Sequence, residues 1–233
     1  MATVLLLRHG RTASNAGGTL AGHQPAELDD AGREQAAALA GRLAGIPLGA
    51  VVTSPLVRCR ETVSLALPDA EPVLDERLIE CWYGDWEGKP LKQLAKDPLW
   101  RVVQLHPAAA RFPGEAGESL AQMSTRAVAA ARDWDARVEA EHGPDALWLA
   151  CSHGDVIKAI VADALGMHLD LFQRIVVDPA SVTVIRYTPL RPFVLRLNDA
   201  GAGLAALVPP KRRRRRRTSD AVVGGGAGPA RPR

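Results

Sequence analysis

Leu5-Leu6-Leu7-Arg8-His9-Gly10 is an apolar run that delivers an arginine and a histidine into a glycine turn. Unbroken apolarity from Val4 to Leu7 marks a strand buried on both faces, as in a parallel sheet covered by helices. The pattern recurs at Trp148-Leu149-Ala150-Cys151-Ser152-His153-Gly154, within a strand read from Ala146 to Cys151. A third apolar strand, Ala50 to Thr53, runs into Ser54-Pro55-Leu56-Val57-Arg58. Helices are expected between them. Ala36, Leu39, Ala40 and Leu43 recur at helical spacing behind Asp29-Asp30, Pro55 is placed to begin a second helix, and Ile157, Ile160, Val161 and Leu165 mark a third from Asp155 to Leu165. Ser181 to Tyr187 and Phe193 to Leu197, with Pro189 and Pro192 between them, read as strands near a sheet edge. Strands alternating with helices predict an α/β fold, a mostly parallel sheet flanked by helices on both faces.

The 233 residues, 47% apolar, are enough for one substantial core. One domain is expected over residues 1–208. An insertion at about 81–118 holds half of the ten aromatics, Trp82, Tyr83, Trp86, Trp100 and Phe112, which read mostly as core filling with one or two rings facing substrate. From residue 209 the composition shifts to Lys211, Arg212 through Arg217 and a Gly/Pro-rich end, a tail expected to be disordered. The net charge of +3 belongs to that tail, since residues 1–210 carry 20 basic and 25 acidic side chains. A body of that sign argues against a nucleic-acid-binding surface on the folded part, although the arginine run itself could touch nucleic acid. No stretch approaches the ~18 apolar residues of a membrane span and no leader pattern opens the chain, so a cytoplasmic protein is expected. Cys59, Cys81 and Cys151 are odd in number and lack metal-ligand spacing, which favours reduced, buried thiols over a disulfide framework or a zinc site.

In an open parallel sheet, ligands sit beyond the carboxyl ends of the strands. Three such ends would bring Arg8, His9, Arg58 and His153 to one rim. A phosphomonoester carries nearly two negative charges, which paired guanidinium groups hold in forked fashion. A neutral His9 could attack phosphorus and form a phosphohistidine, splitting hydrolysis into two easier steps. His153, kept protonated by the phosphate, would add a charged hydrogen bond. Gly10 and Gly154 would let backbone N–H groups approach. Glu80, with a raised pKa, would protonate the leaving alcohol and then deprotonate water.

Five blocks follow one another along the chain: Leu7-Arg8-His9-Gly10-Arg11-Thr12-Ala13-Ser14-Asn15, Thr53 to Arg58, Leu78-Ile79-Glu80 with Tyr83-Gly84-Asp85-Trp86-Glu87-Gly88, Pro113-Gly114 with Gly117-Glu118-Ser119, and Ser152-His153-Gly154. By these blocks the chain resembles the histidine phosphatase superfamily, in its phosphoglycerate-mutase-like branch. The resemblance spans residues 4 to 190 in family order and is closest in character to actinobacterial members labelled probable phosphomutases. It implies that His9 is the phosphorylated nucleophile, that Arg8, Arg58 and His153 form the phosphate pocket with Asn15 beside it, and that Glu80 is the proton donor. It also implies that neither metal nor cofactor is needed, that the substrate is a small phosphorylated metabolite, and that the chain forms a homodimer as family members frequently do. Two departures favour a phosphatase over a phosphoglycerate mutase. A single arginine, Arg101, follows the Glu80 block where mutases carry a pair, and Ala21 stands where they typically have a hydroxyl residue.

Two readings from other classes compete. Ala150-Cys151-Ser152-His153-Gly154 fits a relaxed nucleophile elbow with Ser152 as a hydrolase serine, although no acid followed by a histidine comes downstream to complete a triad. A catalytically silent module acting through its arginine tail is disfavoured because His9, Glu80 and His153 are all present.

Overall fold

The computed structural model describes residues 1–201 and 223–226. Strands β1 (Thr3–Arg8), β2 (Leu48–Thr53), β3 (Val73–Leu74), β4 (Leu147–Ser152), β5 (Val182–Arg186) and β6 (Phe193–Asp199) form one sheet in the order β3-β2-β4-β1-β5-β6. The first four in that order are parallel, while β5 and β6 add antiparallel. The helices are α1 (Ala13–Gly17), α2 (Asp30–Leu43), α3 (Val57–Ala66), α4 (Leu91–Leu94), α5 (Pro98–Leu105), α6 (Leu120–His142) and α7 (Gly154–Ala164).

Strand β1 shows why an uninterrupted apolar run was needed. Successive side chains point to opposite faces. Leu5 and Leu7 join Leu39 and Leu43 of α2 and Cys59 and Val63 of α3, whereas Val4 and Leu6 join Met123, Ala127 and Ala130 of α6 and Ile157 and Ile160 of α7. Both faces of the sheet are therefore covered. The short 81–118 segment packs on the α6–α7 side, where Tyr83, Trp86 and Phe112 are buried and make edge-on contacts while Trp86 stacks on Trp100. Only Trp82 of the five aromatics is exposed, at 41%.

Two local expectations differ from the structure. Pro55 does not begin a helix: it sits in the turn before α3, whose first residue is Val57 and whose N-cap is Leu56. Between residues 119 and 145, where the sequence reading places no element, lies the longest helix, α6. Ser119 and Gln122 close a capping box at its start, and three of its eight buried residues are alanines, which carry little hydropathy but allow close packing.

Strand pairing fixes the rim. Arg8 lies opposite Ser152 and Thr53 opposite Cys151 across the parallel ladders. The ladders continue one residue further, with His9 N donating to Ser152 O at 3.0 Å and Ser54 N to Cys151 O at 2.9 Å. The loop after β1 rests on α2 through two glycines. A Cβ on Gly10 would lie 2.6 Å from Gly32 O, and one on Gly32 would lie 1.9 Å from Arg11 O. Gly32→Ala is expected to force this loop off the helix and destabilise the chain by about 1–3 kcal/mol, the range for overpacking. Thermal unfolding of the variant beside wild type checks it.

Candidate active site

Two buried arginines and two buried histidines meet at the carboxyl ends of β1, β2 and β4. His9 follows β1 directly. Its Nδ1 lies 2.7 Å from Gly10 O, an obligate acceptor, so Nδ1 carries the proton and Nε2 the lone pair. Burial, then Arg58 and Arg8, hold its pKa well below the ordinary histidine value. The ring is therefore neutral and presents a nucleophilic nitrogen.

Arg58, the second residue of α3, donates from Nη2 to Gly22 O at 2.7 Å and from Nε to His153 Nδ1 at 3.3 Å. Its Nη1 is buried with no hydrogen-bond partner among the described residues. A buried donor left in that condition is costly, and an anion is the partner that would satisfy it. Arg8 is fully buried and donates from Nη1 to Val177 O at 2.8 Å. From Nη2 it donates to Gly224 O at 3.1 Å and Gly226 O at 2.9 Å.

Asn15 owes its place to a capping box. Thr12 N–H and its hydroxyl both donate to Asn15 Oδ1, and Asn15 N–H donates to Thr12 Oγ1. With Oδ1 so occupied, the amide NH₂ is the free end of a side chain that lines the cavity. This explains the Thr-x-x-Asn spacing, which the sequence reading took only as part of a motif.

His153 is the N-cap residue of α7, and Gly154 is that helix's first residue. Its ring centroid lies 5.2 Å from that of His9. Because Arg58 Nε can only donate, His153 Nδ1 must accept, and Nε2–H then donates to Ser54 Oγ at 2.8 Å. Burial and the nearby arginines push its pKa well below the ordinary value, burial being the larger cause. These bonds suit a neutral His153, whereas the sequence reading has a phosphate keep it protonated. Protonating it would set an N–H against the Arg58 Nε–H.

Glu80 is 4% exposed, with Oε1 accepting from Cys81 N–H at 3.0 Å. Burial and then Asp155 raise its pKa to about 7, against the pull of Cys81 N–H, Arg58 and Arg8. Asp155 is itself fully buried and accepts from Tyr83 Oη at 2.9 Å. A carboxyl that titrates near neutrality can give a proton and take one back.

Several further readings change. Gly10 N–H is taken by Thr62 Oγ1 at 2.9 Å, so that glycine provides clearance against α2 rather than a donor to a ligand. Ser152 Oγ is buried and donates to Leu78 O at 2.6 Å, while His153 faces Ser54, so no Ser–His pair exists to make Ser152 a nucleophile. Cys59, Cys81 and Cys151 are free and buried, and burial lifts the thiol pKa of Cys81 and Cys151 well above the ordinary value. Among the described residues no group of three or more metal-type ligands occurs, and no helix is long and apolar enough to cross a membrane.

The cavity measures about 30 Å³ and is bounded by His9, Asn15, Arg58 and Glu80 with Thr12, Ser14, Thr19, Leu20, Ala21, Gly22, Tyr83 and Leu91. Arg8, His153 and Gly154 do not line it. The sequence reading did not anticipate that Val223, Gly224 and Gly226 would do so. The arginine run and the rest of the tail from residue 209 lie outside the described residues.

The model of the histidine phosphatase superfamily (branch 1) matches residues 4–200. The glucosyl-3-phosphoglycerate phosphatase of Mycolicibacterium vanbaalenii is 34% identical over 177 residues, covering 72% of this chain and 76% of that protein. A probable phosphoglycerate mutase of Yersinia enterocolitica is 29% identical over 192 residues, covering 80% and 86% respectively. The structure of a mycobacterial glucosyl-3-phosphoglycerate phosphatase in complex with VO₃ superposes with a TM-score of 0.75 at 26% identity, covering 84% of this chain and 98% of that one.

Glu80 carries a stability consequence. Its pKa is raised in the folded chain, so ionising it costs stability as the pH climbs from the ordinary carboxylate range through about 7. Glu80→Gln is expected to raise the melting temperature at pH 8 and to give much less gain at pH 5. Paired melts at the two pH values read this directly.

Proposed function

The chain belongs to the histidine phosphatase superfamily and is a phosphatase, and from that premise we propose that it hydrolyses a phosphomonoester through phospho-His9. The observation that carries this reading is the neutral, Nδ1-protonated His9 in one cavity with the unpartnered Nη1 of Arg58. His9 Nε2 attacks phosphorus, the ester P–O bond breaks, and protonated Glu80 gives its proton to the leaving oxygen. The Glu80 carboxylate then takes a proton from water as the oxygen of that water attacks phosphorus. The P–N bond breaks, freeing inorganic phosphate and neutral His9. Arg58 and the Asn15 amide hold the transferring group. Arg8 joins them once its carbonyl partners release it, and His153 fixes the Arg58 fork from behind.

Hydrolysis is favoured over phosphoryl transfer between glycerate positions. Arg58 is the only arginine or lysine among the described residues that line the cavity. Arg101 is exposed on α5 and leaves a substrate carboxylate without a partner there. The substrate is a small phosphorylated metabolite whose remaining part meets Leu20, Leu91 and Thr19. Three buried, unpaired thiols fit a reducing compartment such as the cytoplasm.

Three outcomes follow. His9→Ala is expected to remain folded and lose turnover of an aryl phosphate and an alkyl phosphate alike, and retained hydrolysis would sink the mechanism. Glu80→Gln is expected to slow the alkyl phosphate by about 10²–10⁴-fold and the aryl phosphate far less, since a good leaving group needs no acid. In wild type, kcat/KM for the alkyl phosphate should fall as the pH rises past about 7, where Glu80 loses its proton. Rate profiles against pH for both enzymes show whether that limb belongs to Glu80.

A further inference from the structure

Arg8 does not line the cavity, and its guanidinium is engaged by a distant part of this chain. Residues Val223–Gly226 lie against the site more than 200 positions after Arg8 in sequence. The Gly224 and Gly226 carbonyls both accept from Arg8 Nη2, at 3.1 and 2.9 Å. Gly224 N–H donates to Asp155 Oδ2 at 3.0 Å, the same oxygen that accepts from Tyr83 Oη. Val223 is 2% exposed and belongs to the main core cluster. With this segment in place the cavity holds about 30 Å³. That is room for about a water or two, against the roughly 300–1,000 Å³ of sites that take organic ligands.

We propose that Val223–Gly226 is an intrasteric gate, in which two backbone carbonyls stand on Arg8 where phosphate oxygens would stand, and a phosphomonoester must displace the segment to bind. The inference rests on the phosphatase reading above. Its energetics are poised for displacement. Carbonyl dipoles satisfy a buried guanidinium, but a phosphate adds a full opposite charge and bidentate geometry that neutral carbonyls lack. The segment is also glycine-rich, and its Gly224 and Gly226 have φ of +71° and +57°. Ordering such residues costs more conformational entropy than ordering any other type, which keeps docking marginal. Glycine at 224 is moreover what allows the close approach. A Cβ there would lie 3.2 Å from Leu20 Cδ1, on a backbone conformation that side chains disfavour.

The test uses full-length chains carrying Gly224→Ala, which strains the docked conformation, or Val223→Asp, which places a charge in the core contact. Hydrolysis of p-nitrophenyl phosphate and its inhibition by inorganic phosphate are measured for each beside wild type. If the open state is populated at about 10% or less, both KM and the phosphate Ki should fall by about tenfold or more in the variants, with kcat unchanged. Unchanged KM and Ki in both variants would overturn the gate. A fall in kcat would overturn it as well, and would make the segment a support that aims Arg8. A wild-type chain without turnover would instead remove the phosphatase reading, and the gate with it.

Discussion

A guanidinium withdrawn from water has to be met by oxygen or nitrogen acceptors, and that requirement organises this site. Arg8 and Arg58 are 0% and 3% exposed, and backbone carbonyls far apart in sequence converge on them. Gly22 is bound to Arg58, Val177 and the Gly224–Gly226 turn are bound to Arg8, and His153 closes the Arg58 fork. These bonds hold the loop after α1, the stretch before β5 and the C-terminal segment around one point. The same two positive groups set the chemistry. Burial and then the field of these two groups make imidazolium unfavourable, so His9 is neutral, and the same field suits the anion that the proposed reaction requires.

Acidic groups balance this field unevenly. Glu80 and Asp155 are both buried behind the arginines, and Asp155 makes ionisation of Glu80 harder. Asp155 has Tyr83 Oη, Gly224 N–H and Lys158 Nζ as donors. Among the described residues Glu80 Oε1 has the single N–H of Cys81. Glu80, the carboxyl with fewer donors, is left to titrate near neutral pH. Two chemically similar side chains thus acquire different roles from the number of donors around them.

The frame and most of the candidate residues were legible because they rest on local patterns. Four apolar residues in a row at Val4 to Leu7 require two covered faces, and a histidine directly after a strand needs no tertiary information to be placed at a sheet's carboxyl end. Asp29 as a cap and the edge position of the strand at Phe193 to Leu197 follow in the same way. Helix α6 carried a signal in Leu120, Met123, Ala127, Ala130, Ala131, Trp134 and Val138, but alanines weaken an apolar stripe that larger residues would have made plain. The protonation of His153 was illegible for a different reason. It depends on which atom of Arg58 faces which nitrogen, and no spacing in the sequence encodes that.

The contribution of Val223–Gly226 shows where composition misleads. A segment rich in glycine next to a run of arginines lacks the apolar surface to order itself, and taken alone it should stay unfolded. Its contacts here come from elsewhere: one buried valine, one N–H and two carbonyls, set against a guanidinium and a carboxylate that the folded body has already removed from water. The body bears the desolvation cost, so a segment with almost no side chains suffices as a partner. Because those acceptors are backbone atoms, any sequence has them. What singles out this one is the absence of Cβ atoms at the point of closest approach, beside Leu20 and Tyr83. Low order propensity and a specific docking site are therefore compatible, and the first is what leaves the second reversible.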